Sequence, residues 1–430
     1  MSRQRIRDPI HDLILFPDDL EGRTLWSLID TAPVQRLRRI KQLGFSEFVY
    51  PGASHKRFSH SLGAMQMARR MLESFEKRGA IEQEKNHASW RLATLSAALL
   101  HDIGHGPYSH VFEELSEAQG SKIGHEEYTL SLIEQTEIAK ILRDADVLEK
   151  TISLFKKEKS STTYGTIISS QLDCDRLDFL CRDRYFTGIR SSVIDVEWLF
   201  DSLAVEKVYI DELGDAFEYA IVVNGKGLRT IEEFIHSYVK MYKDVYFHKT
   251  TRSMQHLASL AVQSALGALD KSTLEKDRFL DSLSNLTERG LDIERYMSID
   301  DSSFTNAIGY LSSLGKGEHA EFATRFLNRQ PLKCLDISEL PSATIRKLRD
   351  ELSDRKIWHY IDLVKDKGYK QYAVADRRYV ENIIISINGT QKRLHQVSKS
   401  LEQSGSYVVR VYFKDDDTRS RVANVIKGLT

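Results

Sequence analysis

Residues 90–102 carry apolar side chains at helical spacing, Leu92, Leu95, Ala98 and Leu99, and the run breaks at Gly104-His105-Gly106-Pro107. Helical patterns stand on both sides of it. Over 59–77, Leu62, Met65, Met71, Leu72 and Phe75 mark one buried side. Before it, Thr31 as a cap and Pro33 in the first turn predict a helix from Ala32, with Val34, Leu37, Ile40 and Leu43 on one face and Gly44 at its end. Further helical patterns run through 108–150, 166–204 and 228–270, so most of the first 260 residues read as one helical unit. The exception is a hairpin, with strands at 207–210 and 219–223 around a turn near Gly214.

The predicted fold is mainly α: an N-terminal arm (1–24), a helical core with the β-hairpin inserted (25–270), a helical extension (271–368) and a small basic α+β module (369–430). The arm is expected to be extended, because its apolar runs around Ile6, Ile10 and 13–16 are broken by Pro9 and Pro17. The last module is predicted from β-branched runs at 383–387 and 407–413, each followed by a helical stretch. From Lys370 onward, 11 Lys+Arg face 6 Asp+Glu, a surplus that suits a solvated face, a subunit contact or nucleic-acid contact. Over the whole chain 61 Lys+Arg against 62 Asp+Glu leave a net charge of -1, which removes any global argument for nucleic-acid binding. No stretch approaches the roughly 20 apolar residues of a membrane span, so no membrane partner is expected. The start shows no signal-peptide pattern, and three cysteines without a CxxC pair suit a reducing, cytoplasmic setting.

Chemistry enters where the 90–102 helix ends. There the imidazole of His101 stands beside the carboxylate of Asp102, a pair suited to a divalent cation. An acid at a helix C-terminus opposes the macrodipole at a cost of roughly 0.3–1 kcal/mol, which a bound cation offsets. A core histidine next to an incidental acid is the other reading. His60, near the start of the 59–77 helix, is a second candidate ligand. In the stretch 173–183, positions 175, 178, 179 and 182 share one helix side. Asp175 and Asp178 therefore either face a site with Arg182 or make ion pairs at the surface.

His60, His101-Asp102 and Asp175 resemble the H…HD…D pattern of the HD-domain metal-dependent phosphohydrolases. Asp8-Pro9-Ile10-His11, Asp30-Thr31, Gln35-Arg36-Leu37-Arg38, Lys41-Gln42-Leu43-Gly44, Tyr50-Pro51-Gly52-Ala53-Ser54-His55 and Arg57-Phe58-Ser59-His60-Ser61 are similar to the deoxynucleoside triphosphate triphosphohydrolase (dNTPase) branch. The likeness spans about 1–260. It implies that His60, His101, Asp102 and Asp175 hold one divalent ion (Mn, Fe, Zn, Ni or Mg), with further Mg accompanying the nucleotide. It also implies that His105, His110 and His125 are active-site histidines, one of them oriented by Glu113. Arg57 and Arg176 would meet the phosphates, and Gln42, Leu43 and Asp183 the deoxyribose. Lys243, His248 and Arg252 lie near the last substrate-contacting helix. Phe179 stands where the family has a sugar-contacting tyrosine, so one hydroxyl is lost.

The activity implied by this resemblance is attack of water at the α-phosphorus of a dNTP, releasing nucleoside and triphosphate, with His125 or His110 protonating the leaving oxygen. The resemblance further implies a regulatory guanine-nucleotide site at Asp30, Gln35 and Arg38, and with it a homo-oligomer, dimer or tetramer. A solvated, capped helix is the plainer reading of those three residues. Two alternatives remain for the chain: a nuclease or phosphodiesterase using the same metal site, and a non-catalytic nucleotide sensor or nucleic-acid-binding protein.

Overall fold

The computed structural model describes residues 4–78, 81, 86–156, 163–190, 193–209, 217–364, 383–398 and 408–429. The helix at its centre is His87–Leu100, where every residue from Leu92 to Leu100 is buried. Its second half, apolar apart from Thr94 and Ser96, is enclosed on all sides. The helix Arg57–Lys77 packs against it and against Cys174–Thr187, so three helices from distant parts of the sequence share one core. His110–Ala118, His125–Gln135, Leu228–Met241 and Lys249–Ala268 surround them. Among the described residues no helix is long and apolar enough to cross a membrane.

The N-terminal arm is a hairpin, β1 (Gln4–Asp8) paired antiparallel with β2 (Asp12–Phe16), and the next helix, Leu20–Ile29, begins inside the predicted arm. The helix expected from Ala32 to Gly44 is shorter. It runs Ala32–Arg36, passes into a 3-10 turn at Leu37–Arg39, and the backbone is extended at Ile40. Long-range bonds override the local pattern. Arg36 is fully buried and donates to the carbonyls of Ile299 (3.1 and 3.0 Å) and His105 (2.9 Å), while the Lys41 amide donates to Asp301 at 2.8 Å.

The inserted hairpin pairs β3 (Leu203–Tyr209) with β4 (Phe217–Asn224); its turn near Gly214 lies outside the described residues. The two strands expected together in the tail part company. β7 (Ile384–Ile387) joins β4 in parallel and carries β8 (Thr390–Arg393) at its other edge. β9 (Val408–Phe413) instead forms the middle of a separate sheet between β5 (Lys333–Asp336) and β6 (Tyr360–Val364). Both of those strands fall inside the predicted helical extension, 271–368. They are four and five residues long, too short for periodicity to separate them from helix. Behind this sheet, Leu348 and Leu352 of the helix Ser342–Asp354 and Val422 of Asp416–Leu429 bury Val409, Val411 and Phe413 in a second small core. The C-terminal α+β unit thus draws on residues well before 369. Most of the basic surplus counted from Lys370 lies on described residues, Lys392, Arg393, Arg410, Lys414, Arg419, Arg421 and Lys427 against Asp415, Asp416 and Asp417.

Candidate active site

Three helix ends deliver the four ligand-type side chains to one place. His60 sits in the first turn of Arg57–Lys77, His101 and Asp102 follow directly on His87–Leu100, and Asp175 lies in the first turn of Cys174–Thr187. His60 Nε2 is 3.2 Å from His101 Nε2, 3.7 Å from Asp102 Oδ2 and 3.0 Å from Asp175 Oδ1. His101 Nε2 is 3.4 Å from Asp102 Oδ1 and 3.6 Å from Asp175 Oδ1. Donors bound side by side to a small divalent cation at about 2.1 Å stand ~3 Å apart, so His60, His101 and Asp102 are spaced to share one ion, with Asp175 Oδ1 beside the two imidazoles. The far side of each ring agrees. His60 Nδ1 lies 2.8 Å from Asp178 Oδ2 and His101 Nδ1 lies 2.8 Å from the Ala98 carbonyl. With the proton on Nδ1, the Nε2 lone pair of each ring is left for the cation. Two imidazoles and two carboxylates suit several divalent metals and do not select one.

Charge around the cluster is arranged to keep its acids ionised. Burial works against the ionised form of Asp102, but Arg57 and the neighbouring imidazoles hold its carboxyl well below the usual range. Arg57 bonds Asp102 and also donates from Nε and an amino group to Ser109 Oγ, at 3.1 and 2.8 Å. Ser109 and the preceding Tyr108 have φ of +48° and +50°, a strained setting for residues with side chains. Such positions cost ~1–3 kcal/mol each and persist where the surroundings hold them. Here the Arg57 bonds and the Tyr108 amide, which donates to Asp301 at 2.9 Å, do so.

Beside the cluster stand the additional histidines. His105 Nε2 is 3.2 Å from Asp102 Oδ1, and its ring stacks on His125 with centroids 4.2 Å apart. Burial and the Arg57 charge lower the His105 pKa to about 3, so it is neutral near pH 7. His125 is shifted the other way: burial opposes its charge, but a hydrogen bond to Glu113 and that carboxylate's charge outweigh burial and raise its pKa. His110 stands 3.1 Å from the other Glu113 oxygen, on the rim, its side chain 80% exposed.

A cleft of about 250 Å³ opens next to Arg57 and His110. Gln42, Leu43, Phe179 and Asp183 line it, together with Tyr246. The Asp183 carboxylate receives His55 Nε2 and the Tyr246 hydroxyl, each at 2.7 Å. Two of the sequence candidates turn elsewhere. Arg176 bonds Asp173 and the Ser170 carbonyl, and His248 caps the helix Lys249–Ala268 by accepting from the Thr250 amide at 3.2 Å. Asp30, Gln35 and Arg38 form a separate group. Asp30 ends the helix Leu20–Ile29, Arg38 Nε donates to Gln35 Oε1 at 2.8 Å, and Gln35 Nε2 donates to the Ile29 carbonyl at 2.8 Å.

Of the residues behind the cluster, sequence reasoning weighed Asp178 and Arg182 as facing a site and left the roles of Asp8, His11 and His55 unread. His11 and Arg182 bond Asp178, Asp8 accepts from Arg182, and His55 bonds Asp183. Asp178 and Arg182 left a signal, their i,i+4 spacing, but it fits a surface ion pair equally well. For Asp8 and His11 no local pattern points to a helix 167 residues away.

The HD domain family matches residues 57–178, the span that contains all four clustered side chains. The uncharacterized protein YwfO of Bacillus subtilis (strain 168) is 33% identical over 341 residues, 77% of this chain and 71% of its own length. A Dictyostelium discoideum protein named deoxynucleoside triphosphate triphosphohydrolase SAMHD1 homolog is 30% identical over 274 residues, 61% of this chain and 50% of the relative. The chain spans about half the length of several of the curated relatives it matches. Among solved structures, a phosphohydrolase from Bacteroides thetaiotaomicron aligns over 96% of this chain and 100% of its own, with a TM-score of 0.74 and 26% identity. With ligand-type residues of an HD domain gathered at one point, and with relatives matched over most of its length, the chain belongs to the HD-domain phosphohydrolase superfamily.

Proposed function

We propose that the protein is a divalent-cation-dependent dNTP triphosphohydrolase that cleaves at the α-phosphorus to release deoxynucleoside and triphosphate. One observation carries the reading: the side chains expected to meet the sugar, Gln42, Leu43 and Asp183, line the same cleft as Arg57, which is bonded to Asp102 of the cation cluster. The Dictyostelium relative's name points the same way. His60, His101, Asp102 and Asp175 would hold the ion. When bound, it supplies Lewis acidity at a phosphoryl oxygen and lowers the pKa of a water.

The chain's own groups account for the rest. Arg57 neutralises phosphate charge at the cleft floor. Attack by water breaks the bond from phosphorus to the 5′-oxygen, and the leaving oxygen needs a proton. His125, kept charged by Glu113, donates it, a contribution typically of ~10²–10⁴-fold. His105, neutral and held against Asp102, has no such proton to give at pH 7.

Incubation with each dNTP and Mn²⁺, Mg²⁺, Fe²⁺, Ni²⁺ or Zn²⁺, followed by chromatographic detection of inorganic triphosphate, tests the reading. Triphosphate in amounts equal to nucleoside is expected. No turnover of any dNTP with any of these ions would overturn it. Phe179, which puts an apolar ring in the cleft in place of a phenol, favours a second reading in which the same site cleaves a phosphodiester. Degradation of single-stranded DNA in the absence of dNTP turnover would establish that version instead.

A further inference from the structure

The N-terminal hairpin is remote in sequence from every clustered side chain, yet its turn ends inside the network that holds His60. Asp178 is the junction. Its side chain is fully buried, and each of its oxygens faces two donors. Oδ1 lies 2.7 Å from His11 Nε2 and 3.0 Å from an Arg182 amino group; Oδ2 lies 2.8 Å from His60 Nδ1 and 2.8 Å from Arg182 Nε. A carboxylate has about four lone-pair sites, so its acceptor capacity is filled and it is not free to turn away from His60. Arg182 also donates to both oxygens of Asp8, at 2.8 and 3.2 Å.

Asp8 in turn shapes the hairpin. Its Oδ1 accepts the amides of Ile10 and His11 at 2.9 and 3.1 Å, which folds the turn so that His11 reaches Asp178. The His11 side chain is 1% exposed and that of Asp8 4%. Gly63 completes the fit, since a Cβ there would fall 1.9 Å from Asp178 Oδ1 and 2.3 Å from the Arg182 amino group.

We propose that Asp8 and His11 are positioning residues for the cation site. Acting through Arg182 and Asp178, they fix the ring plane of His60 and the proton on its Nδ1, and so aim Nε2 at His101 and Asp175. An arm serving only to cover the helices needs no buried polar groups at this point; Ile14 and Phe16 of β2 already give it an apolar anchor. The inference rests on the cation site of the reading above and is independent of its substrate.

The test is a titration of the full-length protein with Mn²⁺ alone, followed by electron paramagnetic resonance, and with Co²⁺, followed by its visible spectrum. Loss of a residue behind a ligating histidine typically weakens metal binding ~10–100-fold, and His11→Phe is expected to fall in that range with an altered Co²⁺ spectrum. His11→Gln keeps an N–H for Asp178 and should recover most of the affinity. Unchanged affinity in His11→Phe, or equal losses in His11→Phe and His11→Gln, would overturn the proposal. Circular dichroism checks that each variant folds. If His11→Phe does not, Asp8→Asn takes its place in the same titration, and wild-type affinity there overturns the proposal. A wild-type chain that takes up neither ion overturns the cation site itself and this inference with it, whereas the other outcomes leave the cation site standing.

Discussion

Glu113 stands between two imidazoles, bonded to His125 and 3.1 Å from His110, and this placement sets a pH dependence. Burial alone would depress the His125 pKa; the Glu113 bond and charge raise it above the ordinary 6.5. A group that acts by giving up a proton stops working as pH rises through its pKa. Removing the carboxylate takes away the support for the charged ring, so in Glu113→Gln the alkaline limb of the kcat/KM profile should move to lower pH. At neutral pH kcat should fall by about 10–100-fold, part of the full value of general acid catalysis. A limb at the wild-type pH would remove Glu113 from this role. At this scale the sequence was informative where neighbours in the chain are neighbours in the site. His101-Asp102 stand together at the end of one apolar helix and could be recognised by that position. Asp178 looked identical to a surface ion-pair partner, because what distinguishes it, burial among His11, His60 and Arg182, is decided by other elements.

Among the elements, the helix Lys249–Ala268 and strand β6 are joined by one ion pair that also reaches the cleft. Arg252, on the cleft wall, donates to both Asp362 oxygens at 3.0 and 2.7 Å, and His256 Nε2 lies 3.2 Å from Asp362. Burial pushes the Asp362 carboxyl upward, but the bonds from His256 and Arg252 prevail and hold it below its ordinary 3.8. Its contribution to stability is therefore present above about pH 4 and is lost as pH falls toward the folded-state value. In Asp362→Asn, urea denaturation at pH 7 should show a loss of order 3 kcal/mol, since Arg252 is left without its anion. The variant should also lose less stability than wild type between pH 5 and pH 3. Equal stability of the two proteins at pH 7 would show that the pair does not join these elements. The helix Arg57–Lys77 was legible over nearly its full extent, because its own periodicity agrees with its packing. The helix expected through 43 was not, because the burial of Arg36 against Ile299 and His105 outweighs the local pattern there.

For the whole molecule, the helical core around His87–Leu100 was readable from amphipathic spacing, whereas strand pairing was not. Nothing in Ile384–Ile387 announces that it will lie parallel to Phe217–Asn224, since pairing between remote strands leaves no periodic mark. Assembly is also decided at this scale. The group Asp30, Gln35 and Arg38 lies apart from the cleft lining, and Arg38 stacks on Phe58 with 3.6 Å to the ring centroid. As an extension of the proposed function, a guanine nucleotide at this group would shift the protein toward a dimer or tetramer. Sedimentation velocity with GTP should then show a larger species that Arg38→Ala does not form. The same distribution with and without nucleotide would remove the regulatory reading.

The parting of β7 and β9 into two sheets means that the last fifty residues are stitched into the body of the protein at two separate seams. Cutting them away would strip the central strand from one sheet and lay bare the flank of another, leaving three strand edges, on β4, β5 and β6, open to self-association. Any role sought in the C-terminal region is accordingly best pursued one side chain at a time, because a shortened protein would report on its own aggregation.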